Sequence, residues 1–414
     1  DVIVLNHGQD GTFAGNKTAQ GNTDANGKGN FFYEPSAGLA MCTFNIAEPT
    51  IGPNSDTQVD DNFTPYLWTG NGSNPRAFTD VGFQADWIWI KKRSGAGTSH
   101  HLVADSSRGD GKTMLANEPN VEATNDANGT VSDTTTVGGF TVNAGSSSDE
   151  MVNDGSDTYV AWLWKCNAGV TTTNDASATS IGTIDSVYQA NTDVGFSIVT
   201  YTGTGSSGSI AHGLKIGTTA TAPDFVIIKK RNASNRWFVW THADDTKYLY
   251  LNDTFARQDG LASRFGNDSA ITQPTTTLLT LGTNTDVNAS NTYVAYCFAE
   301  VEGYSKFGKY VATGSGGEFV YLGFRPSMIM IKEITSGSTQ WLTFDSTRAT
   351  FNLIDDVVLS PNSNQLEAFS SGMELDFLSN GFKIRGSNND LSYSGKTHIY
   401  MAFAEASFKY SLAR

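Results

Sequence analysis

Short apolar runs separated by polar, glycine-containing turns recur along the whole chain. One kind of run is apolar at consecutive positions and ends in charged residues, and it occurs at 85–93, 223–231 and 326–333. Successive side chains of a strand point to opposite faces, so such a run predicts a central strand that is covered on both sides. No segment shows the 3.6-residue period of an amphipathic helix longer than about three turns. The pattern therefore predicts an all-β fold.

A second kind of run is rich in aromatic residues and lies about 70 residues after the first. It occurs at 157–164, 291–298 and 396–403. Cys297 stands where the other two runs have Leu163 and Ala402, so we interpret this cysteine as a small apolar filler of a buried strand.

These landmarks follow one another in the same order in three windows, which we call copy A (64–169), copy B (196–308) and copy C (309–414). Each window is long enough to bury a core of its own. We therefore predict three divergent copies of an antiparallel β-sandwich, jelly-roll or concanavalin-like, arranged as beads in series.

Two segments lie outside the repeat. The stretch 170–195 is rich in Thr, Ser, Asn and Asp and is predicted to be a linker, whereas the short aromatic link 300–308 predicts that copies B and C pack together. Residues 1–63 are expected to be the end of another β-domain, or a segment that completes one. The chain begins at Asp1 without an initiator Met or a signal peptide, so we expect it to be part of something longer.

Composition narrows the functional classes. The chain has 27 basic and 42 acidic residues, and the resulting net charge of −15 disfavours binding to nucleic acid or to anionic membranes. Aromatic residues make up 11% of the chain, which indicates a packed core rather than disorder. No apolar stretch reaches about 18 residues, so no membrane insertion is predicted.

The cysteines and histidines do not form a recognisable site. Cys42, Cys166 and Cys297 are far apart and odd in number, which argues against both a disulfide framework and a zinc site. His100 and His101 are adjacent, and adjacent residues of a strand point apart, so they are not expected to share a metal ion.

Acidic residues and glycine turns are equally unspecific. The loops containing Asp149–Asp157 and Asn388–Asp390 offer oxygen ligands for calcium, but neither follows a known calcium motif, so we interpret them as solvated turns. Asp105 and Asp345 align approximately, but copy B has Thr241 or His242 there. The tripeptide 108–110 (Arg-Gly-Asp) is absent from copies B and C and is read as coincidence.

The prediction is therefore that there are no catalytic, cofactor-binding or metal-ligating residues and no cofactor. Ligand-binding residues stay unassigned. A carboxylate pair for sugar hydrolysis stays open, because its spacing would be set by the fold.

Several motifs resemble a domain family that recurs in marine bacteriophages, chiefly those of cyanobacterial hosts. They include Tyr293–Gly308, Asp376–Lys383 and Ala404–Tyr410, and the resemblance covers nearly the whole chain. In addition, Asn6–Gly15 resembles the tail of a SPRY-like sandwich, so residues 1–63 would be the carboxyl-terminal remnant of such a domain.

The resemblance implies a non-catalytic structural protein on the surface of the phage particle, assembled in the host cytoplasm. A tail fibre or receptor-binding adhesin is the first expectation. Capsid decoration or a head fibre, a polysaccharide depolymerase and a bacterial surface adhesin are the alternatives. The implied partners are other virion proteins, host surface glycans and further copies of the chain, with a trimer as the candidate state although no heptad repeat specifies one.

Overall fold

The computed structural model describes residues 11–12, 15–33, 51, 57–349, 352, 357–369 and 371–405. The chain forms two compact units, Asp1–Pro49 and Thr50–Arg414. In the first unit, Asn22 and Phe31 form a β-bridge around a turn in which the Asp24 carboxylate accepts the amides of Asn26 and Lys28. Segment 6–15, predicted to be the tail of a SPRY-like sandwich, lies mostly outside the described residues.

The larger unit confirms the all-β prediction. Its only α-helices among the described residues are two single turns, α1 (Ala176–Thr179) and α2 (Asn389–Ser392). All strand pairs are antiparallel, and each copy places a large sheet over a smaller one.

Copy A shows the plan of each copy. Its strands are β1 (Phe63–Thr69), β2 (Arg76–Phe78), β3 (Trp87–Ser94), β4 (Leu102–Asp105), β5 (Lys112–Leu115), β6 (Ala123–Thr124), β7 (Thr130–Asp133), β8 (Phe140–Asn143) and β9 (Thr158–Trp164). The large sheet has the strand order β1-β9-β3-β4-β5-β6, and the small sheet has the order β2-β8-β7. The central strand β3 is the doubly apolar run, and its Ile88 and Ile90 pack against the small sheet.

The strands of copy B are β10 (Thr172–Asn174), β11 (Ser186–Asn191), β12 (Phe196–Thr202), β13 (Gly208–Ala211), β14 (Lys215–Ile216), β15 (Thr219–Ala220), β16 (Phe225–Lys230), β17 (Phe238–Thr241), β18 (Leu249–Tyr250), β19 (Leu278–Leu281) and β20 (Thr292–Phe298). The large sheet has the order β10-β11-β12-β20-β16-β17-β18, with the pair β13-β19 and the hairpin β14-β15 beside it. Short 3₁₀ turns span His242–Asp244 and Leu261–Ser263.

The strands of copy C are β21 (Ser305–Val311), β22 (Phe319–Tyr321), β23 (Pro326–Glu333), β24 (Trp341–Asp345), β25 (Val357–Val358), β26 (Ala368–Phe369), β27 (Leu375–Leu378), β28 (Gly381–Ile384) and β29 (Thr397–Ala404). The large sheet has the order β21-β29-β23-β24, the small sheet has the order β22-β28-β27, and β25 pairs with β26. Because β21 begins at Ser305, residues 305–308 of the expected link 300–308 belong to copy C.

The stretch 170–195, predicted to be a linker, instead carries β10, α1 and β11, and β11 pairs with β12 along six residues. Most of its polar residues are exposed, but Gln189 and Asn191 are buried and hydrogen-bonded to residues of copy A or next to it. The Gln189 amide donates to the hydroxyls of Ser106 and Ser107, both at 2.7 Å, and Asn191 donates to Asn62 at 2.8 Å. Polar composition alone does not distinguish such a satisfied strand from a solvated linker.

The expectation of beads in series is wrong, because the large sheets of all three copies turn one face into a shared core. Aromatic contacts join every pair of copies: Trp87 to Tyr296 at 4.8 Å, Trp164 to Phe403 at 5.3 Å, and Phe298 to Phe403 at 5.9 Å between centroids. One face of the doubly apolar run thus packs against the small sheet of its own copy, and the other face packs against the large sheets of the other copies. The shared face contributes Trp87, Trp89, Trp162 and Trp164 from copy A, Phe225, Ile227, Tyr296 and Phe298 from copy B, and Met328, Met330, Met401 and Phe403 from copy C.

Candidate functional site

Equivalent backbone hydrogen bonds join the copies in a cycle. In each case the segment that follows β5, β18 or β25 donates an amide to a carbonyl at or just after the end of the central strand of the next copy. The three bonds are Glu122 to Arg231 (2.7 Å, A to B), Arg257 to Ile334 (2.8 Å, B to C) and Glu367 to Arg93 (3.0 Å, C to A). Head-to-tail contacts that close after three units form a cyclic assembly, and here one chain supplies all three units.

Two of these contacts also carry ion pairs. Glu122 lies between Arg108 of its own copy (3.0 Å) and Arg231 of copy B (2.9 Å). Glu367 has the same position between Arg348 (2.9 Å) and Arg93 of copy A (2.8 Å). The third contact has Arg257 and Ile334 at the corresponding positions, so the equivalent pair is absent there.

A second set of contacts lies deeper. Asp105 and Asp345, which the sequence aligned, each pair with an arginine three residues further on, Arg108 and Arg348 respectively, and all four side chains are closed to solvent. Each carboxylate also accepts a hydrogen bond from the last strand of another copy. The donors are the Tyr296 hydroxyl to Asp105 (2.7 Å) and the Trp162 indole to Asp345 (3.0 Å).

Copy B departs from this pattern on both sides of the contact. It has Thr241 in place of the aspartate, and the last strand of copy C offers Met401 in place of the aromatic donor. The acceptor and the donor are therefore lost together, which avoids a buried carboxylate without a partner. Comparison of the copies could have revealed this relation, but it required knowing which copies are neighbours.

The electrostatics agree with a structural role for these groups. Burial on its own lowers the pKa of Arg108, but Asp105, Tyr296 and Glu122 outweigh burial and raise it. Burial raises the pKa of Glu122, but its hydrogen bonds and charges from Arg231 and Arg108 outweigh burial and lower it. The Glu122 carboxylate, held ionised between two arginines, stabilises the interface and is poorly suited to donate or accept a proton near neutral pH.

Three equivalent lysines are buried near the same contacts. Lys91 Nζ donates to the Asn364 carbonyl of copy C at 3.0 Å, and Lys229 Nζ to the Pro119 carbonyl of copy A at 3.4 Å. Lys332 donates within its own copy, to Thr339 Oγ1 at 2.6 Å. Burial is the main cause that lowers their pKa values, to about 7 for Lys91 and Lys229 and to about 8 for Lys332.

The structure separates the other residues that the sequence singled out. His100 contacts the Asn117 amide at 2.8 Å, whereas His101 is buried and accepts a hydrogen bond from the Trp89 indole at 3.0 Å. The guanidinium of the Arg-Gly-Asp tripeptide is the buried Arg108 described above, so the tripeptide does not present it to solvent. In the part of the chain that the structure describes, no three His, Cys, Asp or Glu side chains are placed to hold a metal ion.

Burial makes two of the three cysteines, Cys166 and Cys297, poor nucleophiles. Cys166 and Cys297 are free and buried, and burial raises the pKa of both thiols, to about 12 for Cys297. Cys42 lies outside the described residues. Within the described ranges no helix is long and apolar enough to cross a membrane.

One open groove of about 550 Å³ lies on copy B, where β10 and β11 widen the sheet. Its lining is rich in hydroxyl groups, with Asp185 and Arg231 as the charged members and Tyr201 as the aromatic one. Arg231 also holds Glu122, so this groove adjoins the contact between copies A and B.

A family model described as a domain of unknown function (DUF7483) matches residues 58–407. The chain belongs to this family. The matched range covers copies A and B and copy C as far as residue 407, in keeping with the single core that they share. The DUF7483 domain therefore corresponds to the cyclic assembly rather than to one sandwich. No curated protein matches the chain, and no solved structure does.

Proposed function

We propose that this DUF7483 protein is a non-catalytic structural protein of a phage particle, most specifically a tail fibre or receptor-binding adhesin that contacts the host cell surface. The observation that carries the proposal is that the buried charged groups form ion pairs at the contacts between copies. The buried ion pairs around Asp105 and Asp345 close contacts between copies, while the small sheets of copies A and B pack in clusters separate from the shared core.

The motif resemblance supports the assignment to a virion, and the cyclic assembly supports a rigid attachment unit. One chain builds an approximately threefold arrangement without a second copy. A threefold unit of this kind can sit coaxially on other virion proteins, and it leaves the outer surface of each copy free to diverge.

The aligned carboxylates Asp105 and Asp345 are unsuited to sugar hydrolysis, because each is buried and paired with an arginine. An inverting or retaining pair needs two carboxyl groups that flank the scissile bond and reach the substrate. A depolymerase would therefore need a different pair of acids.

Immunogold electron microscopy of intact particles, with antibody against residues 64–414, tests the proposal. Label at the tail tip or on tail fibres is the expected result. Label over the head would replace the adhesin by a decoration protein, and particles without label would overturn the virion assignment.

A further inference from the structure

The small sheet of copy C has an unusual outer face. In β22, Phe319 and Tyr321 are 48% and 61% exposed, whereas Val320 between them is buried in the core. Residues two apart in a strand lie on one face about 7 Å from each other. Two aromatic side chains thus stand side by side in solvent, on the outermost strand of this sheet.

The other copies show that the fold does not require aromatic residues here. The buried Phe78 of copy A and Ile210 of copy B occupy the position of Val320, since each pairs with an apolar residue of the neighbouring strand in the same way. Their flanking residues are small: Ala77 and Thr79 in copy A, and Ser209 and Ala211 in copy B. Packing therefore accounts for the central position but not for the two exposed rings.

Polar groups adjoin the aromatic pair on the same face. Lys383 lies opposite Phe319 in the register and is exposed, and Asp376 follows on the next strand. Asp376 accepts from Arg385 Nη1 at 3.2 Å, whereas the Lys383 ammonium forms no ion pair with any described residue. A free hydrogen-bond donor therefore stands next to the rings.

Gly381 pairs with Tyr321, and a Cβ there would lie 2.1 Å from the Val320 carbonyl oxygen and 3.2 Å from Cε2 of Phe319. Gly139 of copy A meets the Phe78 carbonyl in the same way, so the close approach of the two strands requires glycine at this position. The Phe319 ring lies over the space that this glycine leaves.

We infer that this face, formed by Phe319, Tyr321 and Lys383, binds a pyranose-containing glycan. The C–H groups on one side of a pyranose ring form an apolar surface that stacks on an aromatic ring, and Lys383 can donate to a hydroxyl or carboxylate of the sugar. Exposed aromatic groups with an adjacent polar group are typical of ligand sites.

Size favours a sugar over a protein partner. Two fully exposed aromatic side chains would bury about 300–500 Å² together, and this pair offers less because Phe319 and Tyr321 are only 48% and 61% exposed. A stable protein interface needs about 800 Å² on each partner. The inference rests on the proposed adhesin role and names the part of the surface, and the class of ligand, by which the protein would attach.

Binding of the purified chain to immobilised polygalacturonate, mannan and dextran, measured by biolayer interferometry, tests this inference. The double variant Phe319→Ala/Tyr321→Ala is compared with Val311→Ala, which removes an exposed apolar side chain from the large sheet of the same copy. Unchanged thermal unfolding of the variants confirms that they are folded.

The wild-type chain is expected to bind at least one of the three polymers, and the double variant to bind about tenfold more weakly or worse, with Val311→Ala unchanged. Lys383→Gln is expected to weaken binding to polygalacturonate more than to the neutral polymers. Equal binding by wild type and double variant, or no binding of any polymer by the wild type, overturns the inference. Neither result affects the immunogold assignment, so the two proposals fail separately.

Discussion

The Tyr296 hydroxyl of copy B donates to the Asp105 carboxylate of copy A at 2.7 Å, and both groups are buried. Asp105 also holds Arg108, which reaches Glu122 and through it Arg231 of copy B. Polar contacts thus cross the interface between copies A and B at two points, Asp105–Tyr296 and Glu122–Arg231. The interface between copies C and A has the equivalent contacts Asp345–Trp162 and Glu367–Arg93.

Tyr296→Phe removes this donor and leaves the buried carboxylate with fewer hydrogen bonds. We expect the free energy of unfolding to fall by about 1–3 kcal/mol. Met401→Leu, at the apolar equivalent of this position, is the matched control and should cost less than about 1.5 kcal/mol. Urea unfolding followed by tryptophan fluorescence measures both, and equal midpoints for Tyr296→Phe and wild type would refute a stabilising role for the contact.

Glu122→Gln leaves Arg108 and Arg231 without their shared carboxylate. Breaking a partly buried charge pair from one side is expected to cost about 3 kcal/mol. The control is Lys306→Gln, which breaks the more exposed pair with Glu300 and should cost less than about 1 kcal/mol. If both variants unfold at the same urea concentration, the Glu122 contact contributes no more than a surface pair.

The buried lysines predict that stability rises with pH. Their pKa is about 7 in Lys91 and Lys229 but near 10.5 in the unfolded chain, so between these values the unfolded state binds more protons. The free energy of unfolding should therefore increase from pH 6.5 to pH 8.5, below the range in which tyrosines titrate.

The double variant Lys91→Met/Lys229→Met should show a shallower dependence on pH over that range, while Lys309→Met, at an exposed lysine, should keep the slope of the wild type. Thermal or urea unfolding at four pH values provides the measurement. A slope that the double variant does not change would show that the two amines remain charged in the folded protein.

The shared core predicts that the three copies of the larger unit unfold together. Calorimetry of a chain that begins at residue 50 should show one transition, since loss of any copy exposes Trp87, Trp164 or Phe298 of its neighbours. Deletion of 309–414 should leave copies A and B unfolded or aggregated. Three separable transitions, or a well-folded two-copy fragment, would instead support independent beads.

The amino-acid sequence alone determined the strands and their repetition. Alternation of side chains with period two identifies runs such as Trp87–Ile90 as strands apolar on both faces, and the aligned closing runs place Cys297 in the core. These are local properties, and the three copies repeat them because each sandwich imposes the same burial on the same positions.

Only the tertiary structure decided what the second face of each central strand contacts. A period of two shows that a face is apolar but not whether another sheet of the same copy or of a different copy covers it. The pairing of Asp105 with Tyr296, and of Asp345 with Trp162, depends on the order in which the copies close into a cycle. Residues 170–195 show the same limit. Their buried Gln189 and Asn191 have hydrogen-bond partners in copy A, Ser106 and Lys165, that are more than 20 residues away along the chain.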